Sequence, residues 1–161
     1  MVGEGDAEIS IGLLIRAVGP GCQGSIDLQC EVRRELDAMY GETTIDPPPL
    51  EQFRLPRAAS LVAWLDGMPI GCGAIATMNE STAQVKRVFV RSGFRGNGFG
   101  RRTMDGLEKM AVELGHSLPF LETADEQLEA VSMYTILGYE RVPCTGRIPR
   151  TERSIGFEKR L

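Results

Sequence analysis

The segment that most limits what this chain can fold into is Arg95-Gly96-Asn97-Gly98-Phe99-Gly100-Arg101-Arg102. It follows Val85-Lys86-Arg87-Val88-Phe89-Val90, a run with strand character, and leads into an amphipathic stretch. Alternate glycines remove Cβ atoms where a backbone must turn tightly and where a ligand must approach it closely. A helix starting directly after them offers its free N–H groups and positive dipole end to that ligand. Flanking arginines add charge-assisted bonds suited to phosphate oxygens. The segment therefore predicts a strand, a loop and a helix that together cradle a pyrophosphate. The competing account is a flexible loop with solvated arginines.

Two other glycine motifs do not fit. A Walker loop needs GxxxxGK[ST], and neither Gly93 nor Gly96 begins one. A dinucleotide fingerprint needs GxGxxG, and from Gly98 the sixth position is Thr103. Antiparallel hairpin signals upstream also argue against a Rossmann unit. From Lys86 to Arg102 there are six basic residues and no acid, in a chain of net charge −4. A cationic island on an acidic protein suggests a small polyanion. A nucleic-acid partner would call for a basic domain with interleaved aromatics.

With 161 residues, the expectation is a single domain over 1–161, with 1–8 as a loose N-terminal tail. No stretch reaches the 18 or so apolar residues of a membrane span, and the acidic N-terminus lacks signal-peptide blocks. A cytoplasmic protein with no membrane partner is the resulting expectation. The four cysteines, Cys22, Cys30, Cys72 and Cys144, form no CxxC pair, so neither a disulfide scaffold nor a zinc site is expected. The only histidine, His116, follows a helix end, which suits a surface or capping residue.

Along the chain, Ile9 to Val18 reads as a strand. Ser25 would cap a helix running to Tyr40, with Leu28, Val32, Leu36, Met39 and Tyr40 on one face and Gly41 as its stop. Asp46-Pro47-Pro48-Pro49 marks a rigid loop. Ser60–Leu65 and Pro69–Met78 are strands about an Asp66-Gly67 hairpin turn, and Thr82–Val90 is a third. A helix from Phe99 to Leu114 stops at Gly115. Leu118–Thr123 is a strand. A helix over 126–137 would turn Leu128, Val131, Ile136 and Leu137 inward. Tyr139–Cys144 and Ser154–Arg160 close as strands. The order makes an α/β (α+β) domain with a largely antiparallel front half.

These residues resemble the GCN5-related N-acetyltransferase (GNAT) superfamily. Its acetyl-CoA signature [Q/R]xxGx[G/A] is matched by Arg95-Gly96-Asn97-Gly98-Phe99-Gly100, directly after a segment similar to the family's fourth strand. Ala130-Val131-Ser132-Met133-Tyr134-Thr135-Ile136-Leu137-Gly138-Tyr139 is similar to a common family helix, A-[IV]-x-x-Y-x-x-x-G-[FY]. Ile155 to Leu161 looks like its last strand. The resemblance spans roughly residues 58–161. It implies a mixed, mostly antiparallel central sheet of about seven strands flanked by helices. It also implies acetyl-CoA as cosubstrate, no metal, and transfer of an acetyl group to a primary amine by direct attack in a ternary complex.

The same resemblance implies roles for particular residues. Backbone N–H groups of Asn97, Gly98, Phe99, Gly100, Arg101 and Arg102 would bind the CoA pyrophosphate, with Arg95 and Gly96 shaping the loop. Val88, Phe89 and Val90 would pair with the pantetheine arm and polarise the acetyl carbonyl. Tyr134 would protonate the leaving thiolate, and Gln127 stands where relatives often carry an Asn that contacts CoA. The base is open. Relatives often place an acid on the fourth strand, where this chain has Gln84. Glu122 is the nearest good substitute, ahead of Glu80, Asp125 or an ordered-water relay. Acids between Ser117 and Glu140 favour a cationic acceptor such as a polyamine, amino sugar or lysine, if they border the substrate mouth. A small-molecule or peptide amine and a possible homodimer complete the expectation. The alternative is a CoA-binding sensor with little turnover. Cys72 as an acyl carrier is a minor variant, without a nearby histidine to activate it.

Overall fold

The computed structural model describes residues 12–43, 49–144 and 154–161. Its elements are β1 (Leu13–Val18), α1 (Gln23–Tyr40), β2 (Ala59–Leu65), β3 (Met68–Thr77), β4 (Thr82–Val90), α2 (Phe99–Glu113), β5 (Leu118–Ala124), α3 (Leu128–Ile136), β6 (Glu140–Val142) and β7 (Ser154–Glu158). The strands form one sheet in the order β1-β2-β3-β4-β5-β7-β6. Among the described residues only β4 and β5 run parallel, and the other pairings are antiparallel. The expected mixed seven-stranded fold is present. The 1–8 tail, Ile9–Ile11, most of the proline loop and the 145–153 turn lie outside the described residues.

Local chemistry explains most of the boundaries. Asp66 and Gly67 have φ of 49° and 80°, the two left-handed residues of a hairpin turn whose twist matches its strands. Gly41 closes α1 at φ 69° and donates its N–H to the Asp37 carbonyl. Ser25 does not cap that helix. Cys22 is the N-cap, and Ser25 is buried within the first turn with its Oγ accepting from Gln29 Nε2 at 2.9 Å. The apolar face of α1 is also shorter than its pattern suggests. Leu28 and Val32 pack on Val62, Cys72 and Phe89, while Met39 and Tyr40 at the far end are exposed.

Alternation along the strands divides the core. Leu61 and Ile75 face α2 and α3, where they meet Met104, Leu107, Tyr134 and Phe157. Val62 and Cys72 face α1. Helix α3 departs from expectation, because Leu128 and Ile136 are each 74% exposed. Val131 and Leu137 do face the core, and this nine-residue helix docks through them together with Tyr134, Ala130 and Met133, so the aromatic ring takes an inward position.

His116 is buried, not superficial. Its Nε2 faces the Arg57 carbonyl at 3.0 Å, and its Nδ1 lies 3.3 Å from Arg57 Nη2. A carbonyl only accepts, so Nε2 carries the proton and Nδ1 accepts. Arg57 also donates to the carbonyls of Leu114 and Gly115 at 2.8 Å, so the pair closes the C-terminus of α2.

Burial sets the alkaline limit of stability. It pushes the Cys72 thiol up to about 12 and raises the phenols of Tyr134 and Tyr139, the latter further through Glu108. The unfolded chain releases these protons at lower pH than the folded one, so stability falls as pH rises. Each such group contributes roughly 1 kcal/mol of loss per pH unit, beginning near pH 9 with Cys72 and steepening above about pH 10 when the tyrosines join. Urea unfolding between pH 8 and 11 measures it. A midpoint that stays constant to about pH 10.5 contradicts the burial of these groups.

Candidate active site

Strand β4 is irregular on one edge and half-paired on the other. Against β3 its register steps from Ala74↔Lys86 to Cys72↔Phe89, which leaves one extra residue on β4. That bulge contains Arg87 at φ 59°, a left-handed conformation that an arginine rarely adopts. Against β5 the ladder holds only at Thr82↔Leu118, Ala83↔Pro119 and Gln84↔Phe120. Strand β5 then continues beside β7 as far as Ala124↔Ser154. The two parallel strands therefore part after Gln84. Among the described residues, the β5-facing edge of Val85–Val90 has no strand partner.

A cavity of about 530 Å³ occupies this parting. Residues 85–88 of β4 and 121–123 of β5 form two walls. Gln127, Ala130 and Tyr134 of α3 form a third, and the second half of α1 forms the fourth. Tyr134 is 7% exposed. Its ring is held edge-on to Tyr139 at 5.8 Å and tilted against Phe157 at 5.9 Å. Burial raises its phenol above the ordinary value. Glu122 stands on the β5 wall, opposite Gly156 in the sheet. Gln127 is the N-cap of α3.

The glycine loop lies at the far end of β4. Gly96 and Gly98 have φ of 78° and 81°, and a Cβ on either would project into open space. Gly98 is the N-cap of α2 and provides no side-chain cap. The first helical bond runs from the Arg102 N–H to the Gly98 carbonyl at 3.1 Å, so the amides before it remain for a ligand. An uncapped helix start behind two open, left-handed glycines fits a diphosphate. Gly100 serves packing instead. A Cβ there would lie 2.9 Å from Met133 Sδ, so this glycine lets α2 approach α3. Phe89 and Phe99 are core residues and can offer a ligand only their backbone.

The cationic island is less free than its sequence suggests. Arg91 Nε contacts both Glu31 carboxylate oxygens at 3.0 Å, and its Nη2 donates to Oε1 at 2.6 Å. Arg95 donates from Nε to the Val90 carbonyl and from Nη2 to Glu35, each at 2.7 Å. Two glutamates four apart on α1 thus meet two arginines four apart around the loop, which ties cradle and helix together. Lys86 donates to Gln52 Oε1. Arg101 and Arg102 are exposed on the first turn of α2. Arg95 thereby ties the loop to β4 and to α1.

Other candidates are elsewhere. Gln84 is buried outside the cavity wall, and Glu80 and Asp125 do not line it. Of the acids between Ser117 and Glu140, only Glu122 does, which removes the acid-rich mouth. Cys72 is buried, donates to the Arg87 carbonyl and has its thiol held near 12, which is poor chemistry for an acyl carrier. The α1 wall, with Gln29, Arg33, Asp37 and Tyr40, is absent from the sequence-based site. Its signal was the spacing of Gln29, Arg33 and Asp37, four apart and so on one helical face.

Residues 29–139 match the family model for the acetyltransferase (GNAT) family. The chain belongs to that family. The acetyltransferase is 34% identical over 110 residues to an IAA acetyltransferase of Azospirillum brasilense, covering 68% of this chain and 72% of that protein. A solved structure from Klebsiella pneumoniae, described as an acyl-CoA N-acyltransferase, is similar at TM-score 0.75 and 25% identity over 92% of this chain and 97% of its own. A GNAT acetyltransferase of Elizabethkingia anophelis with acetyl-CoA bound shares the fold, with TM-score 0.69, 15% identity and coverage of 94% and 100%. The glycine loop, Glu122 and Tyr134 of this acetyltransferase all fall inside the matched segment. Among its described residues, no group of His, Cys, Asp or Glu is arranged to hold a metal ion, and no helix is long and apolar enough to cross a membrane.

Proposed function

We propose that this acetyltransferase binds acetyl-CoA along β4 and moves its acetyl group to an amine in the cavity between β4 and β5. One observation carries the reading. The phosphate cradle at the start of α2 and the cavity holding Tyr134 and Glu122 are joined by a single stretch of β4 whose outer edge lacks a ladder partner among the described residues. The cradle would take the diphosphate through the amides of 97–101, since the N–H of Arg102, expected to join them, closes the first helical bond to the Gly98 carbonyl. The open β4 edge at Val88–Val90 would pair with the pantetheine arm. A backbone N–H there would stabilise the oxygen on which charge grows during attack.

The reaction then balances with few groups. The amine nitrogen attacks the acetyl carbon, a C–N bond forms and the C–S bond breaks. The ammonium proton leaves to Glu122, directly or through water, and Tyr134 donates to the departing thiolate. A phenol raised by burial stays protonated at any working pH. A thiolate confined in the same dry space is raised as well, so the two remain matched for transfer. The buried Gln84, outside the wall, gives no support to a sensor without turnover.

The test is thiol release from acetyl-CoA with a panel of primary amines. Release that depends on an amine is expected. Tight acetyl-CoA binding without amine-dependent release from any member contradicts the enzyme reading.

A further inference from the structure

The cavity wall carries both signs of charge, with Arg33, Lys86 and Arg87 set against Asp37, Glu42 and Glu122. Arg87 stands apart in how it is held. Its backbone occupies the left-handed position of the β4 bulge, the kind of local strain that functional sites retain. Its half-buried guanidinium donates from Nη1 to Gln29 Oε1 at 2.6 Å and from Nη2 to the Pro49 carbonyl. It also lies 4.6 Å from the centroid of the Phe53 ring. Gln29 is itself buried and fixed by Ser25. Every one of these partners is neutral. Among the described residues, no carboxylate lies within ion-pair distance of Arg87.

Burial, and next the charge of Arg33, hold this guanidinium below the ordinary arginine value. A half-buried cation beside a second guanidinium, with Glu51 acting on it only at a distance, is costly unless a closer anion completes it. Two of its five N–H groups serve Gln29 and Pro49, which leaves donors for a further acceptor. The diphosphate of the cosubstrate is not that anion, since its cradle begins beyond Val90 and none of its residues lines the cavity that Arg87 lines.

We infer that Arg87 receives a carboxylate of the acceptor, so that the amine acetylated here belongs to an amino-acid-like, carboxylate-bearing molecule. Its ammonium end faces Glu122 across the parting of the strands. The inference rests on the acetyl-transfer reading above and narrows the expectation of a cationic acceptor, such as a polyamine, amino sugar or lysine, to one that also bears a carboxylate. Neutral Gln29 and the Pro49 carbonyl keep the guanidinium aimed without cancelling its charge, as a carboxylate partner would.

The experiment compares thiol release from acetyl-CoA with the common amino acids, their carboxamides and the matching decarboxylated amines. Succinyl-CoA with the decarboxylated amines forms a further arm, because a carboxylate can also enter on the acyl group. The expected result is a preference in kcat/KM of about 10- to 100-fold for an amino acid over its carboxamide, the worth of a hydrogen-bonded charge. Arg87→Gln should abolish that preference with little change in KM for acetyl-CoA, and Arg87→Lys should restore part of it. If Arg87→Gln does not fold, the wild-type comparison still decides. Equal rates on acids and carboxamides, rejection of every amino acid, or a carboxylate effect confined to the succinyl-CoA arm overturns the inference. Failure of the acetyl-transfer reading looks different, as a loss of acetyl-CoA binding measured with no acceptor present.

Discussion

Tyr134→Phe is expected to lower turnover by about 100- to 10,000-fold, the range for removing a positioned general acid, while leaving acetyl-CoA affinity nearly unchanged. The two effects separate because the ring and the hydroxyl play different roles. The ring packs on Tyr139 and Phe157 and belongs to the core shared by α2 and α3. Phenylalanine keeps that packing, so the fold and the cradle survive. Tyr134 lines the cavity, where in the proposed mechanism its hydroxyl gives the proton. Burial holds the phenol above its ordinary value, so the wild-type rate should not fall through loss of this acid below about pH 10. Steady-state thiol release for both proteins checks the prediction. Equal turnover removes Tyr134 from the mechanism.

Gly98→Val is expected to abolish acetyl-CoA binding while the chain still folds. The glycine sits at φ 81°, and no protein atom lies within 4 Å of the place where its Cβ would be. The new side chain therefore meets solvent or ligand, and its steric conflict falls on the diphosphate. A left-handed valine still strains the backbone by about 1–3 kcal/mol. Gly67→Val isolates that contribution, since Gly67 has φ 80°, is equally open and lies in the β2–β3 turn. Both variants should lose similar stability, and only Gly98→Val should lose the cofactor. Normal affinity in Gly98→Val shows that the loop is not the cradle.

The elements that sequence chemistry specifies locally were legible. Asp66-Gly67 demands its turn, Gly41 its helix end, and the strand over Thr82–Val90 is found with the expected bounds. The glycine loop and Tyr134 stand out as candidates in the sequence because each lies in a short, dense motif. Features that depend on three dimensions were not legible. The bulge at Arg87 has no residue signature, since a left-handed arginine is held there only by its neighbours. The outward turn of Leu128 and Ile136 follows from how a short helix docks, which their spacing does not reveal. The α1 wall was hidden for a similar reason. Gln29, Arg33 and Asp37 share one helical face by spacing, but only the parting of β4 and β5 brings a cavity against them. Likewise the basic run from 86 to 102 looks free in sequence, because the Glu31 and Glu35 that partner two of its arginines lie 60 residues away.

The most direct test of acetyl-CoA recognition by the glycine cradle is a thermal-shift titration of the wild-type chain with acetyl-CoA, CoA, ATP and NADH side by side. Ligand at about 100 times its Kd adds about 2.7 kcal/mol to stability, or about 5–10 °C for a chain of this size. That shift is expected with both CoA species, and none with ATP or NADH. No shift with acetyl-CoA, or an equal shift with all four ligands, contradicts the cradle.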